Sequence, residues 1–347
     1  MKRVAVIGYG GQGSWHCRQI EKSDVAELVG IYDIREERCL AAKNDGVFVY
    51  DSNESIFDDK TVDIVVVAAP NDVHEDLVVN ALLSGHHVIC EKPVALSVAS
   101  FDRMTKAAEK SGKLLSVHQN RRFDVDFLEL KTVIESGEIG EVLRIESRIH
   151  GSRGIPSDWR CIKKYGGGMI LDWGVHLIDQ ILLLIPEKVT SVNCVNTHYT
   201  NKEVDDGFRL ELTFETGKTA HVEVGTYNFI AMPRFYMQCE KGSLYLSNWQ
   251  SKPVISRLTR WIEKDVTPVQ NAAGITKTMA PRNELTLDTY ENEIPKSDVH
   301  DFYRNFCLAV DNKCEQMVKN SEVRRVLSVM MAAFESDEKD QTIRVDI

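Results

Sequence analysis

Apolar positions in the first 120 residues come in short unbroken runs. Residues 4–7, 28–32, 64–68, 87–90 and 114–117 show little alternation, the pattern of strands buried on both faces. Between them, segments near 14–22, 36–44, 73–84 and 97–111 carry helical spacing, and Gly85 and Gly112 stand where helix C-terminal caps belong. Repeated strand–helix units of this kind predict a doubly wound parallel sheet with a ligand crevice at the strand carboxyl ends.

After residue 120 the pattern changes. A helix near 124–136, a strand near 141–149, a Gly/Pro-containing loop to 168 and an apolar helix near 169–185 lead into a period of two. Segments near 189–199, 207–215, 218–228, 234–240 and 243–247 alternate or carry β-formers. Turn signals at Glu215-Thr216-Gly217-Lys218 and Glu240-Lys241-Gly242-Ser243 separate some of them, which predicts a mostly antiparallel sheet. Residues 250–297 are polar, contain Pro253, Pro268, Pro281 and Pro295, and resist assignment. Helices near 298–312 and 321–335 close the chain. The expectation is an α/β protein of two units, 1–120 and 121–347, and a length of 347 residues supports two cores.

Charge and cysteine usage narrow the partners. The 42 Lys and Arg against 52 Asp and Glu leave a net charge of −10, which repels phosphate backbones, and no basic stripe with interleaved aromatics offsets it. No nucleic-acid partner is expected. The eight cysteines form no C-x-x-C pair, which argues against a disulfide framework and a structural zinc site and points to a reducing compartment; no metal is expected. Met1-Lys2-Arg3 is followed by an uncharged run too short for a secretory signal, and the most apolar stretches, 64–69 and 181–185, fall far below the roughly 18 residues of a membrane span. A cytosolic protein without bilayer insertion is expected.

Gly8-Tyr9-Gly10-Gly11-Gln12-Gly13 matches G-x-G-x-x-G, directly after a predicted strand and opening a predicted helix. In that context the glycines supply a tight turn, close approach to a pyrophosphate and close helix–strand packing, with the anion at the helix N-terminus. Asp33 ends the next strand, where a carboxylate accepts hydrogen bonds from adenosine ribose hydroxyls. NAD is therefore expected over NADP, with Arg35 keeping NADP open. Ala69-Pro70-Asn71-Asp72-Val73-His74 and Cys90-Glu91-Lys92-Pro93 each follow a strand and so face the same crevice. Asp172 and His176, four residues apart after the run Gly166-Gly167-Gly168, share one face of an otherwise apolar helix.

Taken together these motifs resemble the Gfo/Idh/MocA oxidoreductases, nearly end to end. The resemblance implies an NAD(P)-binding Rossmann domain over 1–120 and an open-faced α/β domain over 121–347 that binds substrate and mediates dimers or tetramers. It also implies hydride exchange between a nicotinamide and a sugar, polyol or related alcohol, with Lys92, Asp172 and His176 at the reaction centre. Chemistry supports those roles: alcohol oxidation needs a hydride acceptor, a base for the hydroxyl proton and a donor to steady the developing alkoxide. His176 is the natural base, Lys92 can bond the reacting oxygen and the nicotinamide ribose, and Asp172 can orient the substrate or His176; whether lysine or histidine takes the proton stays open.

The residues expected on the cofactor are Gly8 to Gly13, Asp33, Arg35, Ala69, Pro70, Asn71, His74, Glu91, Lys92 and Asn120, although His74 also reads as a helix-start residue. Those expected on the substrate are Lys92, Arg122, Trp159, Arg160, Asp172 and His176. A salt-bridged hinge is the other reading of Asn120, Arg121 and Arg122, packing the other reading of Trp159 and Arg160, and Asp179 reads as structural. Two further function classes remain at this point: a glycoside-processing lyase or glycosidase that keeps NAD bound for transient oxidation at C3, and a nucleotide-sensing regulator, against which the intact Lys92, Asp172 and His176 argue.

Overall fold

The computed structural model describes residues 1–262, 266–293 and 295–347. The N-terminal sheet contains β1 (Lys2–Ile7), β2 (Ala26–Tyr32), β3 (Ile64–Val67), β4 (His87–Cys90) and β5 (Leu115–Val117), all parallel in the order β2-β1-β3-β4-β5. Its helices are α1 (Gly11–Glu21), α2 (Glu36–Asn44), α3 (Asn53–Asp58), α4 (His74–Leu83) and α5 (Val98–Ser111). The unbroken apolar runs are buried as expected: Val4 to Ile7 and Ile64 to Val67 lie within 3% of full burial. Helix α3 escaped the periodicity because it is only six residues long; the Ser52 hydroxyl caps it by accepting from the Ser55 amide at 3.2 Å.

Chain order switches between β1 and β3, so the turns after β1, β3, β4 and β5 open on one crevice. The chain then forms α6 (Val125–Ser136) and β6 (Val142–His150), and after a loop a π-helical stretch, Ile170–Gly174, runs into α7 (Val175–Leu184). Beyond it lie β7 (Val189–Thr197), β8 (Gly207–Phe214), β9 (Thr219–Gly225), β10 (Phe235–Cys239), β11 (Gly242–Leu246), β12 (Val254–Leu258), β13 (Val269–Asn271), β14 (Gly274–Thr276), β15 (Leu287–Glu291), α8 (His300–Val310), α9 (Asn320–Lys339) and β16 (Ile343–Arg344).

Nine of these described strands make one sheet, ordered β15-β12-β11-β10-β6-β9-β8-β7-β16, antiparallel except for the β6–β9 pair. The segment 250–297, which the sequence left unassigned, thus supplies two strands to that sheet and a small β13–β14 hairpin. Of its strands, β15 forms the sheet edge with β12 beside it, and β13 and β14 lie outside the sheet; such peripheral strands need little apolar pattern. Positions 263–265 and 294 fall outside the described residues. Helices α7 and α9 pack on one another and on this sheet, and α9 also meets α5 and β5, so the C-terminal segment joins both layers.

One face of the large sheet buries Ile145, Leu210, Leu212, Val222, Phe235 and Met237. The other carries a cross-strand ladder of charges in which His221 faces both Glu146 and Glu211, and Glu223 faces both Arg148 and Arg209. His221 Nδ1 lies 2.6 Å from Glu211 Oε1, and the Glu211 and Glu223 carboxylates raise its pKa to about 9. A histidine raised on folding stabilises the fold fully below its unfolded value of 6.5, and that contribution is lost as pH rises through about 9. The Tm difference between the wild-type protein and His221→Gln is therefore expected to be largest below pH 6.5 and to vanish above pH 9; a difference independent of pH would contradict the pairing.

Among the described residues one stretch, Lys163–Leu184, is long and apolar enough to cross a membrane, and 89% of its most apolar window is buried inside the protein. That burial is the mark of a core helix.

Candidate active site

The glycine turn is built as its spacing predicts. Gly8 has φ +97°, and a Cβ there would fall 2.5 Å from the Ala68 carbonyl oxygen. A Cβ on Gly13 would lie 2.0 Å from the Gly8 oxygen, so α1 can start this close to β1 only with glycine, whereas a Cβ on Gly10 would meet nothing within 4 Å. The open side of Gly10 at the N-terminus of α1 is where a pyrophosphate fits. Asp33, at the end of β2, is 9% exposed; its Oδ2 accepts from the Tyr9 amide at 2.7 Å and its Oδ1 from the Arg35 amide at 2.9 Å. The carboxylate is thereby clamped beside the turn, with the Arg35 guanidinium 3.8 Å away.

At the end of β4, Glu91 is buried among partners. Its Oε1 accepts from His16 Nε2 and His118 Nδ1, both at 2.8 Å, and its Oε2 from the Lys92 amide at 3.1 Å. His16 Nδ1 in turn accepts the Tyr303 hydroxyl at 2.6 Å, so the network assigns His16 the tautomer protonated at Nε2. Burial pushes the Glu91 carboxyl up, but His118 and His16 outweigh it and hold it well below the usual range. These three ligand-type groups, which the sequence scatters over 103 positions, lie within 4.8 Å of one another. Both imidazoles point at a single carboxylate oxygen, so the cluster is a hydrogen-bond network that braces the turn leading into Lys92, with the buried Nε2 of His118 left without a partner.

Lys92 reaches across to the second layer. Its Nζ lies 3.0 Å from Asp172 Oδ1 and 3.0 Å from the Asp172 carbonyl oxygen, while Asp172 Oδ2 accepts from Arg160 Nε at 2.8 Å. Burial raises the Asp172 carboxyl, yet Lys92 and Arg160 overcome it and keep the group below its ordinary value. The glycine run explains how the helix comes so near: Gly168 has φ +106°, and a Cβ there would fall 2.1 Å from Asp205 Oδ1. Asp205 then caps the helix start, its Oδ2 accepting from the Ile170 amide at 2.8 Å.

Lys92, Asp172 and His176 line one cavity of about 640 Å³, which also takes in Gln12 from the glycine turn and Asn120 and Arg121 from the turn after β5. The structure thus gathers the three residues that the sequence placed at the reaction centre. Asp172 does not bond His176, whose buried Nδ1 has no partner. The π-helical widening over Ile170–Gly174 lies between the two, in place of the regular α-helical spacing. Burial, and then the positive charges of Lys92 and Arg121, push the His176 imidazole well below its usual pKa, so it is neutral near pH 7. Unpartnered buried atoms also occur on Asn120 and Arg121 in this wall, the condition of polar groups arranged for a ligand.

Other candidates occupy different places. Arg122 turns away from the cavity: its side chain, 9% exposed, bonds both oxygens of Asp179 at 2.7 and 2.6 Å and Glu322 at 2.7 Å, which is the salt-bridged alternative. Trp159 lies outside the lining, with the Arg160 guanidinium carbon 4.7 Å from its ring centre. Asn71 donates to the Tyr165 and Gly166 carbonyls, and the two ring nitrogens of buried His74 lie 3.1 and 2.9 Å from the carbonyl oxygens of Pro93 and Ala69. These two side chains tie loops together. Ala69 and exposed Pro70 simply follow β3.

Sequence reasoning missed the aromatic wall. The Arg121 guanidinium carbon lies 4.2 Å from the Trp173 ring centre and 5.1 Å from that of Trp249, and the two indoles, 5.6 Å apart, are tilted by 60° and meet beside it. Behind them Arg234, 3% exposed, bonds Asp126 Oδ2 at 3.0 Å, Ser147 Oγ at 2.7 Å and Gln180 Oε1 at 3.0 Å; burial brings its pKa down to about 10. No short motif marks Trp249 or Arg234, since each is an isolated residue on the far sheet.

Comparison with known proteins agrees with this arrangement. Residues 2–119 match the family model described as an oxidoreductase family with an NAD-binding Rossmann fold, and residues 127–245 match the GFO/IDH/MocA C-terminal domain. The chain is 34% identical over 206 residues to the myo-inositol 2-dehydrogenase of Thermotoga maritima, covering 58% of this chain and 60% of that one, less than two thirds of its length. It is 26% identical to the NADP(+)-dependent scyllo-inositol 2-dehydrogenase of Bacillus subtilis, over 99% of this chain and 96% of that one. The crystal structure of an NAD-binding protein from Listeria innocua superposes with a TM-score of 0.95 at 41% identity, covering 99% of both chains. The Rossmann crevice, the lysine after β4 and the helix that presents Asp172 and His176 to it therefore belong to a member of the GFO/IDH/MocA family of NAD-binding oxidoreductases.

Proposed function

We propose that this protein oxidises a secondary hydroxyl of a sugar, polyol, inositol or glycoside and passes the hydride to NAD in preference to NADP. The observation that carries the reading is the convergence of Lys92, Asp172 and His176 on the cavity that opens on the glycine turn. When bound, the nicotinamide supplies the hydride acceptor; Gly8 to Gly13, Asp33, Arg35 and Asn120 are the groups placed to hold it. Lys92, fixed by two Asp172 oxygens, keeps an N–H for the reacting oxygen. Neutral His176 accepts the hydroxyl proton, and the indole faces of Trp173 and Trp249 beside Arg121 offer apolar surface for the C–H face of a ring. The substrate domain begins near residue 121 in this reading, the protein works in the cytosol with its eight cysteines unpaired, and the open face of the large sheet serves self-association.

The test is a screen over polyols, aldoses, inositols and glycosides with both nucleotides. Stoichiometric formation of reduced nucleotide is expected; nucleotide binding with no turnover on any alcohol would overturn the reading. Cofactor choice is tested separately by dissociation constants. NAD should bind more tightly than NADP, and Asp33→Ala should reduce that ratio by roughly tenfold or more, the worth of hydrogen bonds to a charged group. Tighter NADP binding by the wild-type protein would remove the ribose role from Asp33.

A further inference from the structure

We infer that the cavity is built for a substrate carrying one negative group, a carboxylate or a phosphate monoester, and that Arg153 recognises it. This rests on the oxidoreductase reading and names its substrate class. Four cationic side chains, Lys92, Arg121, Arg153 and Arg160, line the cavity against a single carboxylate, Asp172, in a chain whose net charge is −10. Three of the cations are answered. Lys92 and Arg160 share Asp172, Arg160 also bonds Asp158 at 2.8 Å, and Arg121 bonds Asp124 at 2.9 Å. Arg153 makes no ion pair among the described residues and is exposed at the cavity wall.

Its loop is held in place. The Gly151 amide donates to the Gly225 carbonyl at 2.7 Å, the Gly154 amide to Thr226 at 2.8 Å, and the Asn228 amide returns a bond to Gly151 at 2.7 Å. Arg153 is thus carried between two anchored glycines, opposite β9, on the wall that the large sheet gives to the cavity. An unpaired guanidinium in such a position attracts an anion by charge, whereas to a neutral polyol it offers only ordinary hydrogen bonds. The reacting hydroxyl would lie at Lys92 and His176, with the anionic group at another carbon of the same molecule.

The experiment compares matched compounds: a neutral aldose or inositol, the corresponding sugar acid, and the corresponding sugar phosphate. One anionic series is expected to exceed the neutral one in kcat/KM by roughly tenfold. Arg153→Gln should erase that advantage through KM with little change in kcat, Arg153→Lys should retain part of it, and the neutral compound should be turned over equally by all three proteins. Added potassium chloride should weaken the anionic substrate alone. The acid and phosphate arms distinguish the two sources of charge. Turnover of neutral polyols with no gain for either anion, or equal loss on all substrates in Arg153→Gln, would overturn the subsite and leave the oxidoreductase reading standing. Absence of turnover for every compound with either nucleotide would overturn that reading, and the subsite with it.

Discussion

His176→Ala and Lys92→Ala are each expected to lower kcat by roughly 100-fold or more, the usual worth of a positioned acid or base. The two side chains come from different layers of the protein and meet only in the cavity, so each loss leaves the other group in place. Because they act on the same oxygen and proton, the double variant should be little worse than the poorer single one. NAD affinity should change little in His176→Ala, since α7 keeps its apolar face. The pH profile gives an independent reading. Burial and neighbouring cations hold His176 well below 6.5, so kcat/KM should persist as pH falls below 6.5 and decline only when the imidazole becomes protonated. An acid limb near 6.5 that survives His176→Ala would assign the proton to another group, and near-normal turnover of that variant on an identified substrate would remove His176 from the mechanism.

Asp126→Ala should be the most destabilising single change in the site's support, by about 3–5 kcal/mol, because it strands the buried Arg234 guanidinium. For a chain of this length that corresponds to a fall in Tm of roughly 5 °C. Asp126→Asn keeps an acceptor and should lose less. Arg234 stands 5.2 Å from the Trp249 ring centre and bonds Gln180, whose amide holds the Arg121 carbonyl at 2.9 Å. The loss should therefore reach the aromatic wall and raise KM before it alters kcat. Thermal unfolding unchanged in Asp126→Ala would show that Arg234 finds its compensation elsewhere.

These two expectations come from different sources. His176, Asp172 and Lys92 were legible in the sequence because each sits in a local pattern: a lysine just past a buried strand, and two ionisable residues on an apolar helix, where burial is costly unless they are paired or working. The five strands of the first sheet and the helices flanking them were legible for a similar reason. Burial on both faces leaves an unbroken apolar run, and a packed helix leaves a 3.6-residue stripe, so local composition carries the tertiary environment.

Choosing between adjacent arginines needed the fold. Arg121 and Arg122 look alike in the chain, but the short helical turn after β5 points one against two indoles and the other at Asp179 and Glu322. Nothing local separates them, because the groups that draw them apart, Trp173 and Trp249 for one and Asp179 and Glu322 for the other, lie 52 to 200 positions away. The same holds for the Glu91 network, drawn from α1, β4, the turn after β5 and α8, and for Asn71 and His74, whose polar atoms are spent on loop carbonyls. The sequence by itself determined the two-layer α/β architecture, the glycine turn and the three polar residues proposed for the reaction centre, since propensity, periodicity and glycine geometry act over a few residues. Only the tertiary structure decided which charges are answered and which face the cavity, because an ion pair is set by distances of a few ångströms between segments that the chain keeps far apart.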